Sequence, residues 1–187
     1  MGQIHNIEKL TDCKFLNLYH LNATSIQLKI KTGKNTPDGV IIYSLYGEKR
    51  DRVVLVRQYR YAIGGYIYEF PAGLVEPNEE FHEGAVREMY EETGLKFTPL
   101  KVDPAFEKPY FTTVGMTDES CATVYGYAEG EISKDAQEDT EEIEVVLADR
   151  EEVKRILREE NVAIMCAYQL MHFLQDEEPF AFLKEEL

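Results

Sequence analysis

The stretch Gly73-Leu-Val-Glu-Pro-Asn-Glu79-Glu-Phe-His-Glu-Gly-Ala-Val-Arg87-Glu88-Met-Tyr-Glu91-Glu92-Thr-Gly94-Leu95 decides how this chain is read. Pro77-Asn78 predicts a turn, because Asn tolerates the left-handed backbone that such a turn requires. A helix follows over about residues 80–93, with Phe81, Ala85, Val86 and Met89 on its apolar side. Gly94 suits the position just past the helix end, where a left-handed residue is common. Gly84 sits inside the helix and costs roughly 1 kcal/mol relative to Ala. Glu88, Glu91 and Glu92 stand at i, i+3 and i+4, so their side chains share one face. Like charges at that spacing destabilise a helix by about 0.2–0.5 kcal/mol per pair. Arg87 offsets part of this through i, i+4 pairs with Glu83 and Glu91. Two readings follow. The cluster is either a salt-bridged solvent face or a set of carboxylates held for a hard divalent cation such as Mg²⁺, which takes one or two carboxylates plus phosphate oxygens.

Outward from this helix, the N-terminal side reads as strands. Ile26, Leu28 and Ile30 alternate with polar residues, as a half-buried strand does. Residues 40–46 and 53–57 are β-branched runs bounded by turn residues, and Tyr66 to Phe70 forms a further strand stopped by Pro71. On the C-terminal side, strands are predicted near 121–127 and 143–147. Helices follow near 150–159 and 162–175, the latter with Ala163, Cys166, Ala167, Leu170 and Leu174 at helical spacing. This order predicts an α/β (α+β) architecture, a mixed sheet packed between helices. Residues 1–45 are read as an N-terminal β-segment and residues 46–187 as the main domain.

The chain's 187 residues and 44% hydrophobic content suit a single well-packed domain and argue against disorder. Its 35 acidic and 20 basic residues give a net charge of −15, which disfavours binding to phosphate backbones generally. The acid is concentrated. Residues 76–92 hold seven carboxylates and one basic residue, and residues 131–160 hold twelve and five, so the two windows carry −6 and −7 and leave −2 for the rest. Cys13, Cys121 and Cys166 are odd in number and lack C-x-x-C spacing, which reads as a reduced, cytoplasmic protein with packed thiols. No run of eighteen apolar residues marks a membrane span, and Met1 to Leu10 lack the apolar core of a signal peptide.

The Gly73–Leu95 stretch resembles the Nudix box: Gly, five residues, Glu, seven residues, Arg-Glu, an aliphatic, any residue, Glu-Glu, any residue, Gly, an aliphatic. Gly73, Glu79, Arg87, Glu88, Glu91, Glu92 and Gly94 fill every fixed position, and Met89 and Leu95 fill the apolar ones. Upstream, Val53 to Arg60 and Gly64 to Leu74 look like the ADP-ribose pyrophosphatase branch, in which a Gln-aromatic-Arg strand and a Glu-aliphatic/aromatic-Pro-Ala-Gly strand precede the box. Downstream, Pro109 lies fourteen residues after Leu95, near where that branch carries a proline. The loop Thr113 to Glu119 is similar to the branch's Pro-Gly-aromatic-Ser/Thr-Asp-Glu loop, with Val114 for the usual Pro and Met116 for the aromatic.

The resemblance implies a Nudix fold and a hydrolase that cleaves nucleoside diphosphates linked to another group, using Mg²⁺ or Mn²⁺ and water. Glu88, Glu92 and the Ala72 carbonyl would be metal ligands. Glu91 would be a further ligand or a hydrogen-bonded support for the ligands. Arg87 would orient the glutamates, and Glu79 would support the loop at the helix start. The general base would be a glutamate on a loop before a late strand, Glu141 or, as runner-up, Glu138. Arg60 and Gly73 would line the nucleotide side of the site, and Glu69 would touch a substrate hydroxyl or support the metal ligands. With no Trp in the chain, base stacking would fall to Phe or Tyr, with Phe15 and Tyr19 as candidates. The branch forms homodimers in which the N-terminal β-segment helps build the partner's site. His82 is expected at the surface, and His5, His20 and His172 show no metal spacing. Substrates implied are ADP-ribose or another nucleoside-diphosphate sugar, giving AMP and ribose 5-phosphate from the former. The rivals are GDP-mannose, NADH or dinucleoside polyphosphate hydrolysis and, from another class, a non-catalytic ADP-ribose-binding regulator.

Overall fold

The computed structural model describes residues 4–12, 19–23, 36–137 and 143–184. The strand expected at Ile26–Ile30, the base candidates Glu138 and Glu141, and the stacking candidate Phe15 lie outside the described residues, as does the side chain of Tyr19. The chain divides into two compact units, residues 1–34 and 35–187. In the first, β1 (Ile4–Lys9) and β2 (Tyr19–Ala23) pair antiparallel, with a register shift between Ile4 and Asn6. The sequence boundary drawn at residue 45 leaves β3 (Gly39–Tyr46) on the N-terminal side, and that strand is part of the larger unit's sheet.

The larger unit is built on a mixed sheet. Its other strands are β4 (Arg52–Arg60), β5 (Gly65–Glu69), β6 (Ala72–Leu74), β7 (Lys96–Pro99), β8 (Tyr110–Phe111), β9 (Ser120–Glu129) and β10 (Ile143–Ala148). The main path runs β10-β4-β3-β9-β7, with β5 beside β4, β6 beside β3 and β8 beside β9. The β3–β9 pair is parallel and the others are antiparallel.

Helix α1 (Phe81–Thr93) covers one face of this sheet. Helices α2 (Arg150–Glu159) and α3 (Ile164–Gln175), with a short 3₁₀ turn at Ala181–Lys184, cover the other. The pleat sorts side chains between the two layers. On β3, Val40 and Ile42 pack with Ala85 and Met89 of α1, whereas Ile41, Tyr43 and Leu45 pack with Val153, Ile156 and Leu170. On β4, Val54 goes to the first layer and Val53 and Leu55 to the second. Strands buried on both faces need apolar residues at consecutive positions, which is why residues 53–56 read as an unbroken run. Met89 is fully buried, so truncating it to Ala would cost about 2–5 kcal/mol.

The expected sheet between helices is what forms. Three short strands, β6, β7 and β8, escape the sequence patterns, because two to four residues carry no periodicity and their stability comes from pairing with distant strands. The last helix also begins two residues later than its spacing predicts. The Tyr68 amide donates to the Asn161 carbonyl at 2.9 Å, and the Ala163 amide donates to the Tyr68 carbonyl at 3.0 Å, so residues 161–163 are drawn onto the edge of β5. Helix α2 starts where predicted. The Asp149 carboxylate accepts from the amides of Glu151 and Glu152 at 3.0 and 2.9 Å, a cap worth about 1 kcal/mol.

Candidate active site

The site is organised by the ends of α1. At its start, Asn78 adopts the left-handed backbone (φ 71°) that its turn requires. Glu80 and Glu83 form a reciprocal capping box, in which each carboxylate accepts from the other residue's backbone N–H. Glu83 therefore turns back to the helix start, and the expected Glu83–Arg87 pair is replaced. At the far end Gly94 is left-handed (φ 75°), and a Cβ there would sit 2.6 Å from the Ser133 amide nitrogen.

Arg87 is the hub of the acidic face. Its Nε and Nη2 donate to the two oxygens of Glu79, both at 3.0 Å, a bidentate arrangement that fixes both planar groups. Its Nη1 donates to Glu88 Oε1 and to Glu91 Oε2, both at 2.8 Å, and Nη2 also donates to the Leu74 carbonyl at 3.0 Å. Glu79 Oε2 in turn accepts from the Glu76 amide at 2.9 Å. The hydrogen bonds from Arg87 hold the Glu79 carboxyl below the ordinary carboxylate range, and Glu79 raises the guanidinium in return. Gly84 has its reason here. A Cβ at that position would stand 3.0 Å from Glu79 Oε2, so the helix-weakening residue leaves room for the ion pair.

Two carboxylates of α1 converge on β6. The Ala72 amide donates to Glu92 Oε2 at 3.2 Å, and Glu92 is only 5% exposed. The Glu88 carboxyl lies against Gly73 so closely that a Cβ there would meet its atoms at 2.0–2.3 Å. The fixed glycine that opens the box is thus the residue that admits the Glu88 carboxylate to the strand. The structure brings Ala72, Gly73, Glu88 and Glu92 together, with Glu91 joined to them through Arg87.

Among the described residues, no three His, Cys, Asp or Glu side chains form a metal cage on their own. Arg87 draws Glu88 and Glu91 onto its guanidinium, so the face is not a bare three-carboxylate cluster. An all-oxygen donor set of two carboxylates beside a strand backbone still fits a hard cation, because Mg²⁺ keeps several water or phosphate oxygens and needs few protein ligands.

Arg60 and Glu69 meet across the β4–β5 hairpin, with Arg60 Nε donating to Glu69 Oε2 at 2.8 Å. The Gln58 amide donates to the same oxygen at 2.9 Å. The sequence reading assigned Arg60 and Glu69 separate substrate contacts; the structure makes them partners and adds Gln58. His82 is partly exposed, as expected, but is paired. Its Nε2 lies 3.0 Å from Glu107 Oε2. Glu107 is buried, its Oε1 has no hydrogen-bond partner, and burial pushes its carboxyl upward against the opposing pull of His82. Nothing in the sequence marks Glu107, because its neighbours arrive from α1. Gln137 was missed for the same reason. Its side-chain amide donates to the Glu92 carbonyl at 2.6 Å.

The sequence profile of the NUDIX domain matches residues 35–167. The chain is 45% identical over 53 residues to the ADP-sugar pyrophosphatase of Mus musculus, covering 28% of this chain and 24% of that protein. It is 27% identical over 127 residues to the ADP-ribose pyrophosphatase of Saccharomyces cerevisiae, covering 61% and 55%. It is 34% identical over 83 residues to the ADP-ribose pyrophosphatase of Bacillus subtilis, covering 44% and 42%. The chain thus spans about half or less of the length of these relatives.

Proposed function

The chain belongs to the NUDIX domain family, and on that premise we propose that it hydrolyses the diphosphate bond of ADP-ribose or a related nucleoside-diphosphate sugar. The observation that carries this reading is the convergence of Glu88 and Glu92 on the Ala72–Gly73 strand. Glu88, Glu92 and the Ala72 carbonyl would hold Mg²⁺ or Mn²⁺, with Glu91 as a further ligand or a support. When bound, the metal neutralises the diphosphate, lowers the pKa of the attacking water and stabilises the leaving oxygen.

The chain's own residues do the rest. Arg87 fixes the carboxylates so that they need not reorganise when charge develops on the phosphate. Glu141, or failing it Glu138, takes the proton as the water oxygen bonds to phosphorus and the bond from phosphorus to the bridging oxygen breaks. From ADP-ribose the products are AMP and ribose 5-phosphate. Arg60, with Glu69 and Gly73, would face the nucleotide and sugar, and the Gln58–Glu69–Arg60 chain supports that reading by fixing both side chains. The relatives' names support the substrate class.

This reading keeps the chain a cytoplasmic homodimer. The free thiols of Cys121 and Cys166 suit a reducing compartment. The test is a panel of ADP-ribose, other nucleoside-diphosphate sugars, NADH and dinucleoside polyphosphates with Mg²⁺ or Mn²⁺. ADP-ribose or a related sugar nucleotide should turn over fastest. Calorimetric binding of ADP-ribose without turnover in either metal would overturn the assignment in favour of a binding domain.

A further inference from the structure

The four last carbonyls of a helix have no partner within the helix, and at the end of α1 three of them are satisfied in different ways. The Tyr90 carbonyl accepts from the Gly94 amide at 2.8 Å, the usual local closure. The Thr93 and Glu92 carbonyls are instead met by a segment some forty residues further along the chain. The Ser133 amide donates to Thr93 at 3.0 Å, and Gln137 Nε2 donates to Glu92 at 2.6 Å. Gly94 permits this approach, since any side chain there would collide with Ser133. Gln137 Nε2 also stands 3.5 Å from the carbonyl of Ile143, the first residue of β10. Both neighbours are carbonyl oxygens, which only the amide's NH₂ end can satisfy, and its two hydrogens serve two acceptors at once.

We propose that Gln137 is a positioning residue for the metal carboxylate Glu92, holding that residue's backbone against the sheet while the Ala72 amide holds its side chain. Glu92 is then gripped at both ends. One grip comes from β6, 20 positions earlier in the chain, and the other from Gln137, 45 positions later. A carboxylate so held keeps its place without the helix end having to settle as the cation arrives. If Gln137 is removed, the Glu92 carbonyl loses that donor while the Gly94 and Ser133 bonds of the last turn remain, so the Glu92 backbone can shift and carry its carboxylate out of line with the Ala72 amide. Displacements of about 1 Å at a catalytic centre can cost up to 10²-fold in rate. The inference rests on the proposed role of Glu92 as a metal ligand.

The experiment is Mn²⁺ binding to the substrate-free protein, followed by electron paramagnetic resonance, for wild type, Gln137→Met and Glu92→Gln. Gln137→Met keeps the volume and removes both donors. It should weaken Mn²⁺ binding by about tenfold and raise the Mg²⁺ concentration for half-maximal turnover in parallel, a loss of the size that small displacements produce. The KM for the nucleotide at saturating Mg²⁺ should stay within about twofold, because the substrate contacts are untouched. Gln137→Asn, whose shorter amide cannot reach Glu92, should behave like Gln137→Met, and circular dichroism melts establish that both are folded. A lowered melting temperature with unchanged Mn²⁺ affinity in both variants would reduce Gln137 to an ordinary helix cap and overturn the inference. Unchanged Mn²⁺ affinity in Glu92→Gln would instead overturn the ligand role of Glu92, a separate failure.

Discussion

Two arginines in this molecule each gather three glutamates, and only one of them builds a candidate site. On α1, Arg87 contacts Glu79, Glu88 and Glu91; on α2, Arg155 contacts Glu152, Glu159 and Glu160. The side chains differ modestly in exposure, 26% for Arg87 and 35% for Arg155. What separates them is where the carboxylates point. Arg87 itself donates to the Leu74 carbonyl of β6, its partner Glu88 presses on Gly73 of the same strand, and the neighbouring Glu92 takes the Ala72 amide. Arg155's partners lie on α2 or at its end, and among the described residues its reach beyond them is a 3.5 Å contact to the Tyr68 hydroxyl. The same i, i+4 chemistry yields a solvated helix face in one place and a candidate cation site in the other. A charge pattern acquires function only when a second chain segment meets it.

The comparison breaks most readily at Glu88 and Glu92. Glu92→Gln or Glu88→Gln should lower kcat on the order of 10³-fold, the scale of losing a main electrostatic contact to the transition state. Glu159→Gln on α2 should leave kcat unchanged. Near-wild-type turnover by either α1 variant would erase the distinction between the two helices. A smaller fall, about 10²-fold, is expected of Glu141→Gln as the loss of a general base. An unaffected rate there moves that role to Glu138, which the same assay on Glu138→Gln would read.

Gly73→Ala asks whether contact with β6 is what matters. Its methyl would fall 2.0 Å from the Glu88 carboxyl carbon, so kcat should drop by about tenfold to a hundredfold through displacement of Glu88. Gly115→Ala, with nothing within 4 Å, is the neutral control. If the two alanine variants turn over alike, the strand does not constrain Glu88.

Stability should separate the arginines more gently. Arg87→Met strands Glu79 and the Leu74 carbonyl and should cost about 1–3 kcal/mol in urea unfolding, the range for lost hydrogen bonds to charged groups. Arg155→Met should leave the midpoint essentially unchanged, because exposed pairs contribute little. Equal losses would show that Arg87 is as solvated as its counterpart.

The smallest effect is on pH dependence. The folded-state pKa of Glu79 lies below its ordinary 4.5, with Arg87's hydrogen bonds as the leading cause. Its contribution is therefore fully present above about pH 4.5 and is lost as pH falls through the lower folded-state value. Wild type should lose more stability between pH 5 and pH 3 than Glu79→Gln does, and parallel melting curves for the two would contradict the coupling.

Much of this was legible in the chain. The ends of α1 follow from Asn78 and Gly94, residues that tolerate the left-handed backbone found there. The core strands follow from apolar runs that need burial on both sides. The Arg87–Glu91 pair follows from helical spacing, whereas Glu83 was misjudged because the capping box competes for its carboxylate at closer range. The Arg60–Glu69 and His82–Glu107 pairs were invisible, since each joins residues whose proximity depends on strand register or on a loop returning to α1. The role of Gly84 was likewise hidden. In sequence it is a weak helix residue; in the fold it is the space that Glu79 requires.

The sequence by itself determined the longer strands and the helices, the two-faced burial of the central strands and the acidic face of α1, because these depend on local backbone preference and periodic apolarity; the family rested on the fixed residues of the Gly73–Leu95 stretch. The tertiary structure decided which acidic face becomes a candidate site, because that depends on the approach of β6 and of Gln137 to one helix end. Such contacts join residues 20 and 45 positions apart, and no local pattern encodes them.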